Sequence, residues 1–493
     1  MTPSTSAGRS TTDVVVVGSG PNGLAAAVTL ARSGLAVRVL EAADDVGGGA
    51  RTHDLGLADG VVHDVCSAVH PMALASPFFR RFDLRARGVE LLSPEVSYAQ
   101  PLDHGVAGIA YRDLDRTAAG LGADGEAWRS VFEPLVEHVD EVVAVIMDDH
   151  RRIPRGLLTA VRFGLRTLEQ GLGPAWDLRF REAAAPALLT GVAAHTISPL
   201  PSLAGAGTAL LLGTLAHASG WSIPRGGTQA ITAALVADLV AHGGVVETGR
   251  RVVSRADLPP ARAYVFDTLP STVAQVMGGV LAPGLERGYR AYKHGNAAAK
   301  VDFVLSGPVP WAAPDVRRAG TVHVGGSRAE MVRAEADVSR GRHADHPMVL
   351  LSDPSVVDPS RLGAHGRRPL WTYAHVPAGS TLDMTEAITA QVERYAPGFR
   401  DVVVAARCVP AAQMERHNAN YVGGDISAGA VTLPRMLGGP VLRWDPYVAG
   451  EGVYLCSASV PPGPGVHGMG GWHAARRVLR ESFGVRVPPS LAP

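Results

Sequence analysis

Three stretches of this chain could grip a phosphate-bearing redox cofactor, and two lone side chains could move protons beside it. The first is Gly18-Ser19-Gly20-Pro21-Asn22-Gly23. In a turn of this spacing, Gly18 permits the tight bend, Gly20 lets the backbone approach a pyrophosphate, and Gly23 lets helix and strand pack closely. Pro21 and Asn22 open a helix whose free N–H groups and positive dipole end face the phosphates. Glu41 follows at the end of the next strand, where a carboxylate accepts hydrogen bonds from a ribose diol. The second stretch is Val46-Gly47-Gly48-Gly49-Ala50-Arg51-Thr52. Gly48 and Gly49 allow close backbone approach to a ligand, and Arg51 can neutralise phosphate charge. The third runs from Gly452 through Ser459 to His467-Gly468-Met469-Gly470-Gly471. It again reads strand, glycine-rich turn, helix, and a helix start there would stabilise negative charge developing on a redox ring.

The lone side chains are Lys300 and His70. Only Lys293 and Lys300 are lysines; every other basic residue apart from histidine is Arg. A lysine at the start of an apolar strand in such a chain invites a specific role, with a surface lysine at a strand edge as the alternative. His70 has the residue type of a base at neutral pH, with a structural histidine as its alternative.

The pattern around these residues predicts the elements that hold them. Four consecutive valines mark a strand over 13–17 that is buried on both faces, as in a parallel sheet covered by helices. An Ala-rich helix to about Arg32, a stop at Gly34 and a strand over 36–40 complete one βαβ unit. Residues 125–152 have helical spacing, interrupted by Pro154. Residues 183–224 contain no Asp, Glu, Lys or Arg and predict two buried helices. Pro186, Gly191, His195, Pro199 and Pro201 divide the first half, and Gly205, Gly207, Gly213 and His217 dilute the second, short of the ~20 uninterrupted apolar residues of a membrane span. Ile231, Leu235 and Leu239 share the buried face of a further helix, with Thr228 as its N-cap and Gly243-Gly244 as its stop. Strands follow near 245–246, 263–266, 300–305 and 453–456, then a helix over 470–481.

The fold class expected is therefore α/β: a Rossmann-type domain with a parallel sheet, and an inserted α+β substrate domain. The first takes residues 1–75, 220–285 and 445–493; the second takes 76–219 and 286–444. A chain of 493 residues suits two domains, and 46% hydrophobic with 19% charged residues suits a well-packed enzyme. Lys+Arg and Asp+Glu both number 46, a balance that argues against a nucleic-acid partner. Cys66, Cys408 and Cys456 form neither a metal-ligand pattern nor a disulfide framework and suit a reducing compartment. Residues 1–12 are polar, with Arg9 as the one charge, and form no secretory signal. Cytoplasm is the default location; peripheral membrane contact and a homo-oligomer stay open.

Taken together the three motifs resemble the FAD-dependent phytoene dehydrogenase-like oxidoreductases. The branch it resembles looks like the one containing pyridine nucleotide-disulfide oxidoreductase domain-containing protein 2, within the wider amine oxidase superfamily. The likeness also runs through His63–Pro71, Trp221–Gly227 and Glu415–Asp425, and is most specific over Tyr454–Met469. It implies a non-covalent FAD and oxidation of a C–C or C–N bond in a small-molecule substrate. Gly18, Gly20 and Gly23 would hold the pyrophosphate, Glu41 the ribose, and Val252 or Val253 the adenine. Arg51 and Thr52 would lie along the diphosphate and ribityl chain; Ser459, His467, Gly468 and Met469 would meet or flank the flavin. Lys300 would match the lysine that works through water on the flavin, and His70 a position facing it. Asn418, Tyr421 and Asp425 would form a polar lid, and Trp472 would stack on the ring or serve as core. One departure stands out: where the superfamily often has Arg after its second paired glycine, this chain has Gly49.

Hydride transfer to a flavin needs little beyond a carbon held against the ring. No second strand–GxGxxG–helix unit with an acidic partner is visible, so electrons would leave to oxygen, a quinone or another acceptor. The leading expectation is a dehydrogenase or desaturase acting on an apolar or partly apolar molecule. The alternatives are an amine or amino-acid oxidase with an aromatic-walled pocket, a flavin-dependent isomerase, and a flavin-binding interaction protein without turnover.

Overall fold

A computed structural model describes residues 12–154, 156–172 and 175–493, so most of the polar N-terminal segment, with Arg9, lies outside the described residues. The four valines Val14–Val17 form a wholly buried central strand. It pairs in parallel with Ala263–Phe266 on one side and Val37–Leu40 on the other, Val14 lying opposite both Ala263 and Val37. The full order is 448–450, 453–455, 263–266, 14–17, 37–40 and 245–247, parallel except at the 448–450 edge. Strands buried on both faces need a cover. The helix Pro21–Ala31 supplies one, with every residue after Pro21 buried. The C-terminal helix Met469–Phe483 packs directly on that helix. Gly471 allows the approach, because a β-carbon there would lie 1.9 Å from the Asn22 carbonyl oxygen. The mixed α/β architecture with a Rossmann-type parallel sheet is thus as the sequence predicts.

A second, mixed sheet of seven strands lies beyond the first, in the order 403–409, 297–305, 368–376, 349–352, 321–324, 96–101 and 107–111. The charge-free stretch forms the two buried helices expected, Ala184–Ala193 and Leu203–Ala218. Among the described residues no helix is long and apolar enough to cross a membrane.

Three local expectations need correction. Residues 125–152 form two helices, Gly125–Glu137 and Val139–Met147, separated where His138 leaves the helical conformation. Thr228 precedes the helix Gln229–Ala241 but does not cap it; its backbone is already helical and its hydroxyl donates to the Ser67 carbonyl, 2.7 Å away. The free N–H groups are met from elsewhere, Thr228 N by Asp64 Oδ1 (2.8 Å) and Gln229 N by Thr52 Oγ1 (3.1 Å). Finally, the strand carrying Lys300 begins at Ala297, and Lys300 lies well inside it, paired with Val409 on one side and Tyr373 on the other.

Candidate functional site

A cavity of about 550 Å³ runs from the first glycine turn into the space between the two sheets. At one end Gly18 turns with φ +99°, a conformation that favours glycine. A β-carbon on Gly20 would lie 2.5 Å from Asp267 Oδ2, and one on Gly23 would lie 2.3 Å from the Gly18 carbonyl. Gly20, Pro21 and Asn22 line the cavity, whereas Gly23 serves the packing of helix on turn. Glu41 accepts from Ser19 N (2.8 Å) and Ala43 N (2.9 Å) and lines the same end as Val252 and Val253.

Asp267 is a site residue that sequence reasoning missed. It directly follows the strand Ala263–Phe266, so the parallel sheet delivers its carboxylate to the glycine turn, where Oδ2 accepts from Gly23 N at 2.8 Å. Burial, with the neighbouring Glu41 charge, pushes its carboxyl up to about 7, against the pull of the Gly23 N–H. The available signal was an acid at the C-terminal end of a predicted buried strand, the end at which open α/β sheets bind ligands.

The second glycine run meets the first. Gly48, at φ +58°, would carry its β-carbon 3.0 Å from Gly20 Cα, so the two loops pack backbone to backbone, and both glycines line the cavity. At Gly49, where the superfamily often has Arg, a β-carbon would lie 2.2 Å from the Tyr421 hydroxyl. Tyr421 fills that space, which is why no side chain fits at 49. Arg51 lines the cavity but is already committed. Its Nε donates to Gly48 O (2.8 Å), Nη2 to His417 O (2.6 Å), and Nη1 to Asp45. Arg51 thus stands on the cavity wall as expected, with Asp45 as its ion-pair partner. Thr52 is not on the cavity wall; its hydroxyl donates to Asp64 Oδ1 at 2.7 Å and helps cap the helix Gln229–Ala241.

The C-terminal turn reaches the cavity through Ser457, Ala458 and Pro462, then Pro464, Gly465 and Val466. Ser459, His467, Gly468 and Met469 lie behind that wall, a correction to their expected flavin contact. Ser459 Oγ bonds Ser457 Oγ at 2.7 Å. A β-carbon on Gly468 would run into Phe78 at 2.6 Å. His467 Nδ1 accepts from Met469 N at 3.0 Å, so the ring caps the C-terminal helix; burial holds it down to about 4 and therefore neutral. The helix start is closed by a side chain and does not open onto the cavity.

His70 does line the cavity. Its Nε2 lies 2.8 Å from Thr228 Oγ1, whose own proton goes to Ser67 O. His70 Nε2 is therefore the donor, and Nδ1 is the unprotonated nitrogen. Burial lowers its pKa to about 4, so the ring is neutral at pH 7 and a weak base. Lys300 is not at a surface edge. It is buried, paired with Asp302, and its Nζ lies 5.9 Å from the centre of the Trp371 ring. It sits behind the cavity wall and not on it.

The far end of the cavity is a chamber walled by Leu211, Trp221, Leu350, Trp371, Tyr373 and Ile426. Trp371 and Tyr373 alternate on one strand and meet edge-on, with centroids 5.2 Å apart at 89°. Polar groups are few. Thr321 Oγ1 and Trp371 Nε1 are buried without a partner among the described residues. His195 Nε2 bonds His323 Nε2 at 2.9 Å, and burial lowers the His195 pKa to about 3. Of the expected polar lid, Asn418 and Tyr421 line the cavity; Asp425 is buried elsewhere, accepting from Gly295 N (2.8 Å) and Gly429 N (2.9 Å). Trp472 is also absent from this cavity.

The residues present fit FAD. Side-chain-free backbone at 18, 20 and 48 lines the cavity where a diphosphate would lie, Glu41 and Val252–Val253 suit the adenosine, and the cavity continues to an apolar chamber able to take a ring and a substrate.

Comparison with known proteins agrees with this geometry. Residues 16–82 match the family model of the NAD(P)-binding Rossmann-like domain. An uncharacterized protein of Mycobacterium tuberculosis is 27% identical over 547 residues, covering 95% of this chain and 97% of that protein. Pyridine nucleotide-disulfide oxidoreductase domain-containing protein 2 of Rattus norvegicus is 24% identical, covering 95% and 93%. Among solved structures, a putrescine oxidase redesigned in its cofactor binding has a TM-score of 0.62 at 18% identity, covering 96% of this chain and 98% of that one. Cyclohexylamine oxidase from Brevibacterium oxydans has a TM-score of 0.57 at 15% identity, covering 97% and 99%. The fold is that of these oxidases.

Proposed function

We propose that this chain is an FAD-dependent oxidoreductase that removes hydride from a carbon of an apolar or partly apolar small molecule, and that oxygen, a quinone or another acceptor then takes the electrons. The observation that carries this reading is one continuous cavity joining a dinucleotide turn to an aromatic and aliphatic chamber. When bound, FAD supplies the two-electron acceptor. The chain's residues bind and orient. Trp221, Leu211 and Leu350 exclude water and hold the apolar part of a substrate. The unpartnered Trp371 Nε1 and Thr321 Oγ1 await a polar group on it, since buried polar atoms without partners are costly. His70 Nδ1 can accept a hydrogen bond from a substrate donor. Lys300 and Asp302 set the charge behind the Trp371 wall and act as positioning residues. A desaturation like that of phytoene dehydrogenases is the finer form of the proposal.

A second reading is favoured by one specific feature. The perpendicular Trp371–Tyr373 pair gives the chamber the aromatic wall expected of an amine oxidase, despite an aromatic content of only 5%. Anaerobic mixing of the flavin-loaded protein with apolar alkenes, alcohols and primary amines tests both. Bleaching near ~450 nm by one class identifies the substrate, and peroxide release on admitting air with an amine selects the second reading. A flavin that no class of donor bleaches would refute both.

A further inference from the structure

The C-terminal helix turns a different face, through Met469, Trp472, His473 and Arg476, onto a second hollow of about 560 Å³. Three arginines converge there: Arg81, Arg152 and Arg476. The guanidiniums of Arg81 and Arg476 lie 5.8 and 5.9 Å from the centre of the Trp472 ring. Among the described residues none of the three has a carboxylate partner; Arg81 donates only to the Pro77 carbonyl, 2.8 Å away. Burial and the nearby charges of Arg152, Arg477 and Arg81 hold Arg476 below the ordinary guanidinium range, against the opposing pull of Asp149. Two acids also line the hollow. Asp149 is already used, accepting from Arg477 Nη2 at 2.7 Å and Arg151 Nη2 at 2.8 Å, and Asp148 is exposed. Cations outnumber the one uncommitted carboxylate. The chain segment closing the hollow is pinned, since Arg32 donates to Ala492 O (2.7 Å) and Arg87 to Leu491 O (3.0 Å).

We infer that this hollow binds a phosphate ester, held by Arg81, Arg152 and Arg476 against the face of Trp472. Like charges gathered in a partly desolvated space repel unless an anion joins them, and phosphate oxygens give each guanidinium a charge-assisted bond. Such a group could come from the headgroup of an acidic phospholipid or from a soluble phosphate ester. The surroundings suit a headgroup. Ile153, next to Arg152, is 86% exposed, and the helix Leu157–Gly171 turns Leu157, Leu158, Val161, Leu165 and Leu168 outward while Thr159 and Phe163 face inward. An exposed apolar helix face that follows Arg152 and Ile153 closely along the chain has the composition of a surface that lies in a membrane interface.

The test uses the FAD-loaded protein, so that the diphosphate site is filled. Thermal melts are recorded with sodium tripolyphosphate and with sodium chloride of equal ionic strength. Sedimentation is measured with phosphatidylglycerol–phosphatidylcholine vesicles and with pure phosphatidylcholine. Tripolyphosphate is expected to raise the melting temperature above the salt control. Arg476→Gln and the more exposed Arg152→Gln should each weaken that response by about tenfold in midpoint concentration. Arg162→Gln, outside the hollow, should leave it intact. Without anion, Arg476→Gln should melt no lower than wild type, because it relieves like-charge crowding; a merely structural arginine would melt lower. Sedimentation with the acidic vesicles that is lost in Arg476→Gln identifies the headgroup as the source, and a tripolyphosphate response alone identifies a soluble ester. No anion response beyond salt, or vesicle binding that Arg162→Gln abolishes and Arg476→Gln does not, overturns the inference.

Discussion

Replacing Asp267 by Asn should remove a pH dependence from FAD binding. Asp267 meets the Gly18–Gly23 turn through Gly23 N, 2.8 Å away, and its carboxyl stands at about 7 against an ordinary 3.8. Burial is the main cause, with the Glu41 charge adding to it, and the neighbouring Cys456 thiol is itself pushed up by burial and by Asp267. Ionising this carboxyl in its buried place therefore costs roughly 4 kcal/mol more than in water. The sign follows from the raised value. The group's contribution to stability is fully present below about pH 4 and is lost as pH rises through about 7. A diphosphate bound at the same turn adds negative charge beside this carboxylate, so FAD should bind with uptake of the Asp267 proton. Affinity should then fall with rising pH above 7, by up to about tenfold per unit. Flavin fluorescence titrations of the cofactor-free protein at several values between pH 6 and 9 measure this directly. Wild type should weaken across that range while Asp267→Asn stays nearly flat and binds more tightly at pH 9. Parallel profiles for the two proteins would refute the assignment of this carboxylate to the diphosphate site.

Other perturbations have equally definite outcomes. Gly20→Val should abolish flavin retention, read from the ratio of visible to protein absorbance, because its β-carbon would lie 2.5 Å from Asp267 Oδ2 and displace the glycine turn that this carboxylate holds. Lys300→Met strands the Asp302 carboxylate inside the mixed sheet and should cost about 3–5 kcal/mol in denaturant melts. Adding Asp302→Asn should restore most of that loss, and failure to do so would remove the pair from the account. Asp64 and Arg361 form a second buried pair at 2.9 Å, and the Arg361 charge, with bonds from Thr228 N and Thr52, holds the Asp64 carboxyl below its usual range despite burial. The stability Asp64 provides is present above its unfolded value of about 4 and is lost as pH falls through the lower folded value. Asp64→Asn should therefore melt well below wild type at pH 7, with the gap closing on acidification.

Much of the dinucleotide half was legible in the sequence because its physics is local. A run of valines, glycines at fixed offsets and an Ala-rich helix specify strand, turn and helix within about twenty residues, and Glu41 follows from the spacing. The chamber was less legible, since Trp221, Thr321 and Trp371 come together only through sheet pairing across the chain. The alternation of Trp371 and Tyr373 was visible in principle as a period of two, but nothing local told which face met a cavity. The C-terminal motif misled in a specific way. Strand, glycine turn and helix are all present, yet the His467 ring accepts from Met469 N and so occupies the helix start expected to face the cofactor. Arg51 shows the same limit: a basic residue beside glycines suits phosphate, but only the fold reveals Asp45 and His417 as its partners. Composition also underrated the chamber, because a few aromatic residues suffice when the fold gathers them.

The central claim is that one cavity accepts the whole of a dinucleotide flavin. Purified protein soaked in excess FAD and then desalted measures this most directly, by the flavin retained per chain. One equivalent, with visible bands near ~450 nm, is the predicted result. Folded protein that leaves the column colourless contradicts the account.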